Sequence, residues 1–139
     1  IEDAIQSAID AAPHVDKISI NPVNVQKNTV VEKLWFRNEW VAPWLWSVVD
    51  VLQKCEDLPV RVYSDPTGGG TRRGAHNCHD CNKKVLESLK NHRLGLGDLK
   101  GLHCNCKSRW NAIVNQSKLR RNGSEPHGYR SGFTGGRHF

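Results

Sequence analysis

The spacing of apolar positions in the first part of the chain predicts a helix followed by a strand. Residues 2–9 place two isoleucines four residues apart behind two acidic residues, which is typical of the first turns of a helix, and Pro13 ends it. The β-branched run at 18–20 predicts a strand. We expect it to leave the sheet at Asn21 and Pro22, because proline cannot continue a strand ladder.

Two helices and a second strand are expected next. Thr29-Val30-Val31-Glu32 fits a capping box, in which the threonine hydroxyl accepts from the glutamate amide and the glutamate reaches back to the cap amide. Pro43 suits a first helical turn, and residues 44–52 carry a broad apolar face at helical spacing. The alternating residues 60–63 predict a strand. This order forms a βαβ unit, for which parallel strands are the default.

A glycine run separates this unit from the rest of the chain. Gly68-Gly69-Gly70 resembles a phosphate-binding loop, but no Gly-Lys-Ser/Thr follows it, so we interpret it as a flexible loop. Beyond it, apolar positions at 85–89 and 110–119 predict two further helices.

Charge divides the chain at the same place. The whole chain of 139 residues has a formal net charge of +6, yet residues 1–65 carry 6 basic and 10 acidic side chains, whereas residues 66–139 carry 14 and 4. We therefore divide the chain into a βα scaffold at 1–65, a basic module at 66–119 and a tail at 120–139. The tail is rich in glycine and arginine without an apolar period, which predicts disorder.

Composition excludes several classes of protein. No stretch approaches the roughly 18 apolar residues of a membrane span, and there is no secretion signal, so we expect a soluble, cytoplasmic protein with no membrane partner. Hydrophobic residues make up 37% of the chain, enough for a modest core. The chain begins at Ile1 and contains no methionine, from which we expect a fragment of a longer protein.

Four cysteines form two close pairs. Cys78 and Cys81 make a C-x2-C pair, and Cys104 and Cys106 make a C-x-C pair after a helix-sized interval. Two such pairs complete the tetrahedral four-thiolate set of a structural zinc site, which leaves no open position for hydrolysis.

Other interpretations of the cysteines stay open. One of the flanking histidines could replace a cysteine as a metal ligand; these are His76, His79 and His103. The same four thiolates could also bind an iron–sulfur cluster instead of zinc. A redox pair or disulfides are further alternatives. Cys55 follows an apolar helix, where a buried small hydrophobic role is simplest.

Basic residues surround the cysteine pairs and indicate a nucleic acid partner. Concentrated positive charge attracts phosphates, and aromatic residues of the tail, Tyr129, Phe133 and Phe139, would stack on unpaired bases. A solvated basic face without a partner is the alternative. The candidate nucleic-acid-binding residues are Arg72, Arg73, Lys83, Lys84, Lys107, Arg109, Arg120 and Arg121.

Several long motifs carry a family resemblance. The segment 19–27, the capping box at 29–32 with Leu34-Trp35, and the helix 43–52 are similar to the archaeal radical SAM subunit of archaeosine synthase, whose core is related to the Elongator catalytic subunit. The resemblance continues through 65–70, Arg72-Arg73-Gly74 and both cysteine pairs. It covers about 90 of the 139 residues, which correspond to the C-terminal part of the family's proteins. Val41-Ala42 stands where the family pattern has Arg-Pro.

The resemblance implies an α/β fold in which residues 1–65 are the last βα units of a partial (β/α) radical SAM barrel. It implies a [4Fe-4S] cluster held by a C-x3-C-x2-C motif, S-adenosylmethionine, and radical cleavage of a lysine-bearing deazaguanine in the tRNA D-loop. A second synthase subunit is a further implied partner. The cluster motif is absent from these residues, so the fragment alone would be inactive. Asn21 and Pro22 would lie at the barrel rim as cofactor-binding residues, with a plain strand-terminating turn as the alternative.

Two functions from other classes remain. One is a stand-alone, non-catalytic zinc-binding RNA-binding module. The other is a structural subunit that docks through its tryptophan-rich helix.

Overall fold

A computed structural model of the protein describes residues 1–121, and in that range it contains five α-helices and a two-stranded sheet. The mixed helix and strand composition agrees with the α/β class. Predictions for residues 122–139, including the aromatic residues of the tail, lie outside the described range. The elements are α1 (Glu2–Ala11), β1 (Lys17–Ser19), α2 (Val30–Phe36), α3 (Leu45–Lys54), β2 (Arg61–Tyr63), α4 (His79–Leu94) and α5 (Cys106–Arg121), with a 3-10 turn at Ala12–His14.

The two strands pair in parallel, as the βαβ pattern predicts. Ile18 lies opposite Val62, with one further pair on each side. Ile20 extends the pairing, because its N–H donates to the Tyr63 carbonyl at 2.9 Å. Val62 is buried, which places one face of the short sheet against the core.

Helix α3 lies at the centre of the core. It contacts both α1 and α4, and its apolar face is almost fully excluded from solvent; Leu45 and Trp46 are 0% and 1% exposed. The same core includes Leu89 and Leu99 from the basic half of the chain. Residues on both sides of the glycine run therefore bury their apolar surface together.

The start of α3 differs from the expectation. Pro43 does not lie in the first turn, since Trp44 is extended (φ −78°, ψ 142°) and the helix begins at Leu45. A tryptophan side chain cannot cap a helix. Instead the N–H of Trp46 donates to Oδ1 of Asn77 at 3.2 Å, so a residue beside the first cysteine pair satisfies the α3 terminus.

The capping box of α2 is confirmed with one shift. The N–H of Glu32 donates to Oγ1 of Thr29 at 3.2 Å. The Glu32 carboxylate reaches back to the N–H of Asn28, at 2.8 Å, rather than to the cap amide itself.

The glycine run forms a series of turns held by hydrogen bonds at several points. The Gly70 N–H donates to the Ala75 carbonyl at 2.8 Å, and the Val25 N–H donates to the Arg73 carbonyl at 2.8 Å. The Asn24 side chain also donates to the Thr67 carbonyl. The loop is thereby joined to the extended segment that follows β1. None of the helices described is long and apolar enough to cross a membrane.

Candidate metal centre

The four cysteines of the two pairs meet at the starts of two helices. Cys78 occupies the N-cap position of α4, and Cys81 lies in the first turn of that helix. Cys104 precedes α5, and Cys106 is the first residue of α5. Their sulfurs all lie within 4.8 Å of one another. The N-terminal end of a helix carries partial positive charge, so both helices favour the thiolate form of these side chains.

The sulfur separations match a four-cysteine metal-binding site. Sγ of Cys78 lies 3.6 Å from that of Cys81 and 3.5 Å from that of Cys104, and Cys81 and Cys106 are 3.6 Å apart. Four sulfurs at about 2.3 Å from one ion would be separated by roughly 3.8 Å. A disulfide would need about 2.05 Å, and all four cysteines are free thiols. The predicted convergence of the two pairs is confirmed.

No histidine joins this group within residues 1–121. His76 is instead bound to the loop, with Nδ1 2.9 Å from the Gly74 carbonyl. His79 and His103 are exposed residues beside the ligands. Cys55 lies apart in the core, 1% exposed, as predicted, and burial raises the pKa of its thiol.

Trp46 contacts the centre from α3. Its indole N–H donates to Sγ of Cys106 at 3.2 Å, and the Lys107 ammonium lies 5.0 Å from the centroid of the same ring. Burial opposes ionisation of Cys106, but the hydrogen bonds from Trp46, Cys78 and Cys104 together outweigh it and lower the pKa of the thiol to about 7. Burial raises the pKa of Cys81, so a metal ion must displace the Cys81 proton. Sequence reasoning missed Trp46, since it precedes Cys106 by 60 residues.

Arg73 is used inside the molecule. Its guanidinium pairs with the Glu32 carboxylate at 2.7 Å and lies 4.9 Å from the centroid of the Trp35 ring. The backbone N–H of Asn28 and then Arg73 lower the pKa of Glu32. The charge of Arg73 is thus already neutralised by a neighbour, and a phosphate would have to compete with Glu32.

The other candidate nucleic-acid-binding residues differ in position. Lys107 is partly buried against Trp46, and only the helical backbone of Arg121 is described. No ion pair joins the exposed cations to another residue in the described part of the chain. These exposed cations are Arg72, Lys83, Lys84, Arg109 and Arg120.

Asn21 connects the ends of the two strands. Its Oδ1 accepts from the Asp65 N–H at 2.7 Å and its Nδ2 donates to Oγ of Ser19 at 3.1 Å. Pro22 lines an apolar cleft of about 430 Å³ with residues of α1 and α3, among them Val48. The cofactor-binding role of both residues remains a prediction.

Comparison with known proteins finds relatives among archaeal proteins. The chain is 42% identical over 120 residues to archaeosine synthase subunit beta of Methanosarcina acetivorans, covering 82% of this chain and 34% of that protein. It is 39% identical over 124 residues to archaeosine synthase subunit beta of Thermococcus kodakarensis, covering 86% and 38%. An uncharacterised protein of Methanocaldococcus jannaschii is 33% identical over 103 residues, covering 70% and 28%.

The chain therefore spans about a third of the length of the curated relatives it matches. No family model and no solved structure matches it. The two named relatives support a relationship to the archaeosine synthase family.

Proposed function

We propose that this chain is part of an archaeosine synthase subunit beta and acts in archaeosine formation in tRNA in the cytoplasm. The similarity to two proteins of that name, over 82% and 86% of the chain, carries the proposal. The name "subunit beta" implies a partner subunit, which we extend to this protein.

Radical SAM chemistry is the finer part of the proposal. The motif resemblance supports it, with residues 1–65 supplying the last βα units of the barrel. The parallel pairing of β1 and β2 is consistent with that assignment. The five cysteines here do not fit the cluster motif C-x3-C-x2-C, so we assign the [4Fe-4S] cluster and S-adenosylmethionine to a part of the protein outside this sequence.

Zinc is the metal we propose for the four cysteines. A four-iron cluster places each thiolate on a different iron, which requires wider separations than one shared ion, and the closest sulfurs here are 3.5–3.6 Å apart. Four protein ligands leave no open position, so zinc would supply shape rather than hydrolysis. It would fix the starts of α4 and α5 against Trp46 and thereby position the exposed cations that we propose contact tRNA.

Complementation tests the role in archaeosine formation. The complete reading frame would be expressed in Thermococcus kodakarensis lacking its subunit beta, and archaeosine in purified tRNA would be measured by mass spectrometry. We expect the nucleoside to return. The control is the native Thermococcus gene. If that gene restores archaeosine and the stably expressed test protein does not, the proposal is wrong.

Metal analysis tests the centre. We expect about one zinc per chain, and an iron-containing protein would contradict the assignment. Cys104→Ser should lose the zinc and lower the melting temperature, because removing one ligand opens the tetrahedron. Cys55→Ala is the matched control, since Cys55 lies outside the centre and the variant should keep its zinc.

A further inference from the structure

A cleft beside the four-cysteine centre is lined by aromatic, amide and basic side chains. It lies between residues 41–44, residues 76–78 and the first turn of α5, where Cys106 and Arg109 line it, and its volume is about 310 Å³. We call it the Trp44 cleft. Pockets that hold small molecules begin at roughly 300 Å³, so the cleft suits one small planar group.

Trp44 is the aromatic residue that lines this cleft. Among the described residues its indole N–H has no hydrogen-bond partner. The two neighbouring tryptophans differ, because Trp46 donates to Cys106 and Trp110 donates to Oγ of Ser47 at 2.9 Å. Trp44 is partly buried, which holds the ring in place while leaving part of it accessible. Nucleobases stack on such rings whatever their sequence.

The polar groups of the cleft suit a base edge and a phosphate. A carbonyl only accepts, so Nδ1 of His76 donates to Gly74 and Nε2 of the neutral ring remains as an acceptor. Asn77 is 7% exposed, and its Nδ2 has no partner in the part of the chain described. Arg109 is exposed, and no carboxylate of residues 1–121 pairs with it. No acidic residue lines the cleft.

The walls of the cleft are joined to one another. The N–H of His76 donates to the Pro43 carbonyl at 3.1 Å, which connects two of the three lining segments. Cys78 and Cys106 both line the cleft and belong to the metal centre, which connects the third. A preformed cleft of this kind avoids part of the entropic cost of ordering a loop when a ligand binds.

We propose that the Trp44 cleft binds one unpaired nucleotide of tRNA, with its base stacked on Trp44, the base edge at His76 and an adjoining phosphate at Arg109. The inference rests on the proposed tRNA partner and names the place where an unstacked base is held. RNA is recognised mainly at such unpaired positions, because side chains cannot read the deep groove of its duplex.

Binding of a labelled tRNA transcript to the zinc-loaded 139-residue chain tests this. Trp44→Leu should weaken binding about 5- to 150-fold, the range for loss of one stacked base, and Trp44→Phe should restore most of it. Arg109→Ala should reduce the slope of log affinity against log salt by about one. Lys90→Ala is the matched control, since it removes an exposed cation from α4 away from the cleft and should leave the slope unchanged. Thermal melting of each variant reports whether the fold is intact.

Photocrosslinking keeps the inference testable if Trp44→Leu fails to fold. A transcript carrying 4-thiouridine in its loops should crosslink to the peptide containing Trp44 or His76. Wild-type protein that does not bind tRNA would overturn the proposed partner together with this inference. Binding that is insensitive to Arg109→Ala, with crosslinks at Lys83 or Lys84, would overturn the Trp44 cleft alone and leave the tRNA partner standing.

Discussion

Trp46→Phe isolates one hydrogen bond to the metal centre. The substitution keeps an aromatic ring in the core but removes the N–H that donates to Cys106 at 3.2 Å. A hydrogen bond to a charged group contributes about 1.5–3 kcal/mol. Since every 1.4 kcal/mol is about a tenfold change, the zinc dissociation constant should rise about 10- to 150-fold. Competition with a chromophoric zinc chelator at constant pH measures it.

Trp110→Phe is the matched control for this measurement. Trp110 is also buried, at 5% exposed, and its indole N–H donates to Ser47 rather than to a cysteine. The two substitutions remove the same atoms, so a general weakening of the core would affect both. We expect zinc affinity to change less than about threefold in Trp110→Phe, within the scatter for a residue that does not contact the site. Equal zinc affinities in the two variants would refute a role for the Trp46 indole at the thiolate.

Two further predictions concern the loop that precedes the centre. Gly74→Ala would press a Cβ against the backbone carbonyl oxygen of Gly68, which cannot move aside as a side chain can, and should cost about 1–3 kcal/mol in urea unfolding. Gly97→Ala, with its nearest neighbour at 3.7 Å, should be close to neutral, and equal unfolding midpoints for the two variants would contradict this packing. Because the pKa of Glu32 is lowered in the folded state, its ionised carboxylate stabilises the fold at pH values above the ordinary pKa of 4.5. This stabilisation is lost as the pH falls through the lower pKa of the folded state. Glu32→Gln should therefore be less stable than wild type at pH 6 and converge with it near pH 3, and a gap that is the same at both pH values would contradict stabilisation of the ionised carboxylate by the Asn28 N–H and Arg73.

Features set by residues close in sequence could be predicted. The capping box of α2 depends on positions three residues apart, and each cysteine pair depends on positions two or three apart. The parallel sheet follows from the order of strands and helices. Local spacing restricts the backbone directly, and this is why these predictions hold.

Contacts between residues far apart in the sequence could not be predicted from local spacing. Asn77 satisfies the start of α3 from 31 residues away, and Glu32 pairs with Arg73 across 41. Arg73 illustrates the difficulty, since it follows Arg72 and the basic pair indicates a phosphate-binding group. The fold instead places the Glu32 carboxylate beside Arg73, and no local spacing in the sequence predicts that contact.

The acidic and basic halves of the chain depend on each other at the metal centre. Helix α3 belongs to the acidic half, yet Asn77, next to Cys78, satisfies the start of α3, and Trp46 of α3 donates to Cys106. The apolar face of α3 also shares its core with Leu89. Cutting the chain at the glycine run would expose apolar surface on both pieces and would remove the donor that favours the Cys106 thiolate. The division in charge therefore describes where phosphate is attracted, whereas the stability of the metal centre requires side chains from both halves.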